Sequence, residues 1–313
     1  MFQRILVPLD GSRLAEAILP DVLELAAQQR AEVVLLRVAL AHALPGVELT
    51  EAQVHAVEEA ERYLADVEHR LADRGIRVSS VVRYGRAAEE ILDHARTSDI
   101  DLIAMSTHGR SGIERVLLGS VAERVLREAP VPVFLRRAAG PAPTWTRAEA
   151  QEARGPVRPQ RVAPAMQAVR HILCPVDFSR TSDAAMAQAG ILAQRFNADL
   201  TVLHVVYDPL DVTCLHIPHP PQEQLRDELI REAERMLQAQ VHRTLRFVPR
   251  AKTAVALGSP FREIIRYAQE HQVDLIVMGT QGVSGLNHLI MGSTAERVVR
   301  LAPCPVLSIR AAA

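Results

Sequence analysis

The stretch HILCPVDFS at 171–179 reads against RILVPLDGS at 4–12, and STAERVVRLAPCPVLSIR at 293–310 against SVAERVLREAPVPVFLRR at 120–137, almost letter for letter. A chain that repeats itself this closely is constrained before any residue is given a structure, because whatever fold one half adopts the other must adopt too. The register can be followed along the chain. Asp177 lies 167 residues beyond Asp10, and LHV at 203–205 keeps that offset from LRV at 36–38. Gly258 against Gly85, Asp274 against Asp101 and Gly292 against Gly119 lie 173 apart, so six residues enter between the second and third apolar runs, where 207–221 is lengthened. With 313 residues there is room for two domains of about 100–200 residues each. The expected division is 1–138 and 169–313. Between them, 139–168 is rich in Pro, Ala and Arg, lacks an apolar stripe and reads as a linker that carries Trp145, the only tryptophan.

Within the first copy, apolar runs alternate with helical periodicity. Arg4 to Leu9, Val33 to Val38, Val78 to Arg83, Asp101 to Met105 and VPVFLR before 137 are short and continuously apolar, as strands covered on both faces are. Ala15 to Gln29 has Leu14, Ile18, Val22 and Leu25 at helical spacing; Val57, Ala60, Leu64, Val67 and Leu71 form an amphipathic helix ending near Gly75; Ala87 to Thr97 is a third helix. Leu40 to Thr50 has no clear period and reads as a loop. Ser120 with Glu123, and Ser293 with Glu296, have the capping-box spacing at the start of a further helix. Strand and helix in alternation predict two tandem Rossmann-like α/β domains, each with a five-stranded parallel sheet of order 3-2-1-4-5.

Such a sheet binds ligands beyond the carboxyl ends of its strands, where strand order reverses. Asp10 and Asp177 follow the first strand of each copy, and STHGRSGIERVLLGS (106–120) and GTQGVSGLNHLIMGS (279–293) follow the fourth. The crevice then has an acid on one wall and, on the other, a glycine loop leading into a helix N-terminus, whose free N–H groups suit phosphate. An aspartate there can accept from a ribose or base. Bland readings stand beside these: Ser120 and Ser293 as helix caps, the aspartates as turn residues accepting from the following backbone.

Several alternatives are excluded. There is no GxxxxGK[ST], no GxGxxG after either first strand and no GxSxG. No general base recurs in both copies, since His108 is replaced by Gln281, so hydrolysis of a bound nucleotide is expected to be slow at most. Cys214, His216, His219 and His204 are ligand types a transition metal uses, but their spacing is no established zinc pattern and the first copy lacks it. Cys174 and Cys304 sit in or beside strands and read as buried small hydrophobes. A net charge of −1 with 4% aromatic residues disfavours nucleic-acid binding. No run approaches the ~18 apolar residues of a membrane helix, and the N-terminal run is too brief for a signal peptide, so no membrane and a cytoplasmic location are expected.

The opening [IL]-x-P-x-D-x-S, the glycine segment and the closing GS-x-AERV…AP-x-PV jointly resemble the universal stress protein family, in tandem form. The resemblance implies stress response, ATP binding with Mg²⁺, and dimerisation through the last strand, hence pairing of the two halves within the chain and possibly further homodimer formation. In the nucleotide-binding branch, whose pattern is G-x2-G-x9-G-[ST], it implies a ribose contact near Gly279, phosphate contacts from Gly282, Gly292, Ser293 and Thr294, and nucleoside contacts from Asp177 and near Val205, with Pro175 beside them. In the first copy the matching set is Pro8, Asp10, Val38, Ser106, Gly109, Gly119, Ser120 and Val121. Ser106 departs from glycine; serine is tolerated if only backbone atoms matter, and costs about 1 kcal/mol if φ > 0 is required. Three functions follow: an ATP-dependent regulator acting on a protein partner, a scaffold with no physiological nucleotide, and a nucleotide-dependent transferase.

Overall fold

The computed structural model describes residues 2–40, 49–107, 118–137, 169–207, 222–248, 250–280 and 291–310. The chain falls into two compact units, Met1–Gln167 and Ala168–Ala313.

In the first unit the strands are β1 (Arg4–Pro8), β2 (Glu32–Ala39), β3 (Val78–Tyr84), β4 (Leu102–Ser106) and β5 (Val133–Arg136). They pair in parallel in the order β3-β2-β1-β4-β5. Strand order therefore reverses between β1 and β4, which puts Asp10 and the Ser106 end of β4 at one crevice. Ile5, Leu6, Val7, Val33, Leu35, Leu102, Ile103 and Ala104 are completely buried. Runs apolar on both faces are what a sheet covered from both sides requires, each large aliphatic contributing about 1.5–3 kcal/mol on burial.

The helices of this unit are α1 (Arg13–Glu16), α2 (Leu19–Gln29), α3 (Leu49–Leu71), α4 (Ala87–Thr97) and α5 (Ser120–Glu128). One helix was expected over 15–29, and two are found. Pro20 stands in the first turn of α2 and has no N–H to return to a preceding carbonyl, so the chain turns at Ala17–Ile18 and restarts. The α3 helix is longer than its apolar stripe suggested, beginning at Leu49 inside the expected loop, and Gly75 ends the short 3-10 turn that follows it.

The second unit repeats the plan with β6 (His171–Val176), β7 (Asp199–Val206), β8 (Ala251–Leu257), β9 (Leu275–Gly279) and β10 (Val306–Ile309), ordered β8-β7-β6-β9-β10. Its helices are α6 (Arg180–Phe196), α7 (Gln222–Thr244), α8 (Pro260–Glu270) and α9 (Ser293–Leu301). Here the first helix is unbroken, because Ala187 stands where the first copy has Pro20. Cys174 and Cys304 are buried and unbridged, and burial raises both thiols well above their ordinary range, as expected of inert core residues.

Some features recur because the fold needs them. Gly85 and Gly258 end the third strand of each unit at φ +146° and +144°, and a Cβ on Gly85 would stand 2.8 Å from Glu90 Oε1. Only glycine suits both the backbone and the space. An acid on the first helix is likewise tied to the long helix in each unit. Glu16 accepts from Tyr63 and Arg70, both at 2.9 Å, while Asp183 accepts from Gln240 at 2.7 Å.

Candidate ligand site at the carboxyl edge

Beyond the ends of β1, β2 and β4 in the first unit lies a cavity of about 290 Å³. Seven of the residues singled out from sequence line it: Pro8, Asp10, Val38, Ser106, Gly119, Ser120 and Val121. Pro8 and Asp10 come from β1 and the turn after it, Val38 from β2, Ser106 from the end of β4, and the last three from the start of α5. Its wall is completed by Leu36, Met105, Thr107, Ala122 and, from α4, Ala87 and Ile91. Apart from Ala122, which opens the AERV pattern, none of these belongs to a motif. The α4 residues reach the site only because the helix after β3 crosses back over the sheet.

Asp10 accepts the Ser12 N–H at 2.9 Å, and Asp177 accepts both the Ser179 N–H (3.1 Å) and its hydroxyl (2.5 Å). The turn role is thus real in both copies. It holds each carboxylate at the crevice, and Ser12 and Ser179 in turn cap α1 and α6 by accepting from Ala15 and Ser182. Between acid and cap the backbone is left-handed, at Gly11 with φ 83° and at Phe178 with φ 64°. The Phe178 ring rests 4.4 Å from that of His204, whose Nδ1 donates to the Val176 carbonyl at 2.9 Å.

The capping-box expectation fails at α5 and α9. Gly119 and Gly292 are the N-caps, in extended conformation, and no side chain caps either helix. Their carbonyls already accept the Glu123 and Glu296 N–H groups at 2.8 and 3.1 Å, which starts each helix at the serine and takes its hydroxyl out of capping position. Among the described residues no side chain caps the start of α5, which lines the cavity at Ser120, Val121 and Ala122. The starts of α2, α4 and α8 likewise have no side-chain cap, so what sets α5 apart is that its start lines the cavity.

A clasp missed in the sequence closes the base of each glycine segment. Thr107 N–H donates to Arg136 O at 2.9 Å and its carbonyl accepts from Gly119 at 2.9 Å; Thr280 does the same with Ile309 (3.0 Å) and Gly292 (2.9 Å). Both threonines are buried. The intervening residues, among them His108, Gly109, Gly112, Gln281, Gly282 and Gly285, lie outside the described residues, as do Cys214, His216, His219 and Trp145. No group of three potential metal ligands occurs among the described residues.

In the second unit the counterparts occupy the same edge: Pro175 in β6 with Asp177 after it, Val205 in β7, Gly279 ending β9, Gly292 as N-cap, and Ser293 and Thr294 opening α9. Gly279 does not have positive φ. Its lack of a side chain serves close packing, since a Cβ would lie 3.1 Å from the backbone carbon and Cβ of Thr181 in α6. In the first unit the broken helix leaves room for Ser106, whose hydroxyl donates to the buried Ala15 carbonyl at 3.3 Å. The glycine-to-serine change thus tracks a broken first helix, and the φ > 0 cost considered above does not arise.

Parallel five-stranded sheets with a helix N-terminus facing an acid across the reversal point define a Rossmann-like ligand-binding class, here duplicated. The model of the universal stress protein family matches residues 1–137 and 168–310. The chain belongs to that family. Universal stress protein YxiE of Bacillus subtilis is 32% identical over 144 residues, 44% of this chain and 97% of its own. A universal stress protein of Mycolicibacterium smegmatis is 27% identical over 262 residues, 82% of this chain and 76% of its own. A solved universal stress protein from Archaeoglobus fulgidus covers 99% of this chain and 98% of its own with a TM-score of 0.68; at 22% identity it speaks to the fold.

Proposed function

We propose that this chain is a cytoplasmic stress-response regulator that binds ATP at the carboxyl edge of each unit, its nucleotide state governing a protein partner. The observation that carries the reading is the cavity of about 290 Å³ onto which α5 opens without a side-chain cap. The apolar wall of Leu36, Val38, Ala87, Ile91 and Met105 suits a base and sugar ring, and the α5 N-terminus at Ser120 and Val121 suits phosphate. Asp10 adds an acceptor for a ribose hydroxyl. The second unit is assigned the same roles through Pro175, Asp177, Val205, Gly279, Gly292, Ser293 and Thr294, with Gly109 and Gly282 completing the two loops. Mg²⁺ would arrive with the phosphates, since phosphate oxygens and water satisfy most of its coordination. No residue at the edge is placed as a general base, so turnover is expected to be slow.

Mass spectrometry of ligand released from purified protein, followed by calorimetric titration with ATP and Mg²⁺, tests the reading. Wild-type protein that shows no ATP binding at millimolar concentration would sink it. Val38→Trp fills the cavity from the strand side and should weaken ATP binding in the first unit at least tenfold while the fold survives.

A further inference from the structure

We infer that the second unit carries a docking groove for an acidic, extended peptide segment of a partner protein, running alongside β8. The residues 238–253, QAQVHRTLRFVPRAKT, contain three arginines, a histidine and Lys252 but no acid, in a chain of net charge −1. Nine of them line an open groove of about 930 Å³ between the end of α7 and β8. Val241, Leu245 and Val248 make its floor, and His242, Arg246 and Lys252 its rim.

Phe247 is 83% exposed, and its position is imposed by its neighbours. Leu245 is buried against Gly190, where an added Cβ would come within 2.6 Å of Leu245 Cδ2 and 3.1 Å of Val248 Cγ2. Gln194 Nε2 donates to the Phe247 carbonyl. The backbone is therefore pinned on both sides of a ring that faces outward. Among the described residues Arg246 and Lys252 have no ion-pair partner, whereas Arg243 reaches Asp183 at 3.8 Å and Arg250 reaches Asn197 Oδ1 at 3.2 Å. The fold does not require this arrangement. In the first unit Arg74 stands at the position of Phe247 and Ser79 at that of Lys252, with Ser79 Oγ donating to Glu32 at 2.8 Å.

The β8 strand is the outer strand of its unit's sheet on this side, so half of its main-chain groups face away from β7. An extended segment can pair with them, set alternate acidic side chains against Arg246 and Lys252, and cover Phe247 with an apolar residue. A single exposed aromatic makes a poor track for successive stacked bases, which favours a peptide over a nucleic acid.

Fluorescence anisotropy on the full chain tests this with a labelled octapeptide alternating Glu and Val. Its Lys/Val counterpart, a single-stranded RNA oligonucleotide and phosphatidylserine vesicles form the other arms. The Glu/Val peptide should bind, lose affinity as salt rises, and weaken at least tenfold with Arg246→Glu, Lys252→Glu or Phe247→Ser. Phe247→Ser should leave the thermal midpoint unchanged, and hydrogen exchange should slow at Ala251–Leu257 when peptide is bound. Failure to bind, equal binding of the Lys/Val peptide, preference for RNA or vesicles, or insensitivity to the three substitutions would each overturn the proposal.

Discussion

Gly279 and Ser106 hold the same register, each ending the fourth strand of its unit, and the first helix decides which side chain fits there. Gly279→Ser would press a side chain into the Thr181 backbone already at 3.1 Å, and overpacking of this kind costs about 1–3 kcal/mol. Ser106→Gly would orphan the buried Ala15 carbonyl, at a cost of about 1–3 kcal/mol. Urea unfolding should therefore show both exchanges destabilising, although each makes the two copies more alike. His94 offers a second test. Its ring is buried, Nε2 has no hydrogen-bond partner among the described residues, and burial, then Arg83 and Arg4, lowers its pKa from the ordinary 6.5. The unfolded chain thus binds more protons than the folded one between the lowered value and 6.5, so the contribution is intact above 6.5 and is lost as pH drops through that window. Replacing His94 by Gln should flatten this part of a pH series of urea midpoints.

At the scale of elements, the first unit ties its restarted helix to its last strand by a buried ion pair. Arg136 at the end of β5 donates through Nη1 to Asp21 in α2, which is completely buried. The second unit has Gln188 and Ile309 at these positions and no such pair. Removing one partner of a buried pair leaves an uncompensated charge. Asp21→Asn should cost about 3–5 kcal/mol in urea unfolding, while Asp21→Leu with Arg136→Met should come closer to neutral. The same elements show where sequence patterns were sufficient and where they were not. Ala87 to Thr97 forms a helix over the expected residues because its apolar spacing and its packing agree. The helix expected over 15–29 broke at Pro20, since period alone does not register a missing donor. The capping box at Ser120 failed because the glycine before it took the cap first.

For the whole molecule, each unit contributes five strands and buries its own core, so 1–137 and 168–313, expressed separately, should each unfold in one cooperative transition by calorimetry. Titration of the full chain with ATP is expected to reach two nucleotides per chain, because Ser106 is accommodated by the broken helix and leaves the first cavity open. A stoichiometry of one would return the serine to the role of a lost contact. Family, duplication and strand order were all legible in the amino-acid sequence, as was the carboxyl edge at which the cavity lies, because repeats, apolar runs and turn residues act through neighbours close in the chain. So were Asp10, Val38, Gly119 and Ser120 as companions at one edge. Only the tertiary structure decided that Ala87 and Ile91 complete the cavity, that Thr107 and Thr280 tie the last strand of each unit to the start of the helix before it, that Gly279 answers to Thr181, and that Phe247 is held outward beside Arg246 and Lys252. Each of these depends on which residues distant in the chain meet across the packed helices and sheet, and no local pattern in the sequence encodes that meeting.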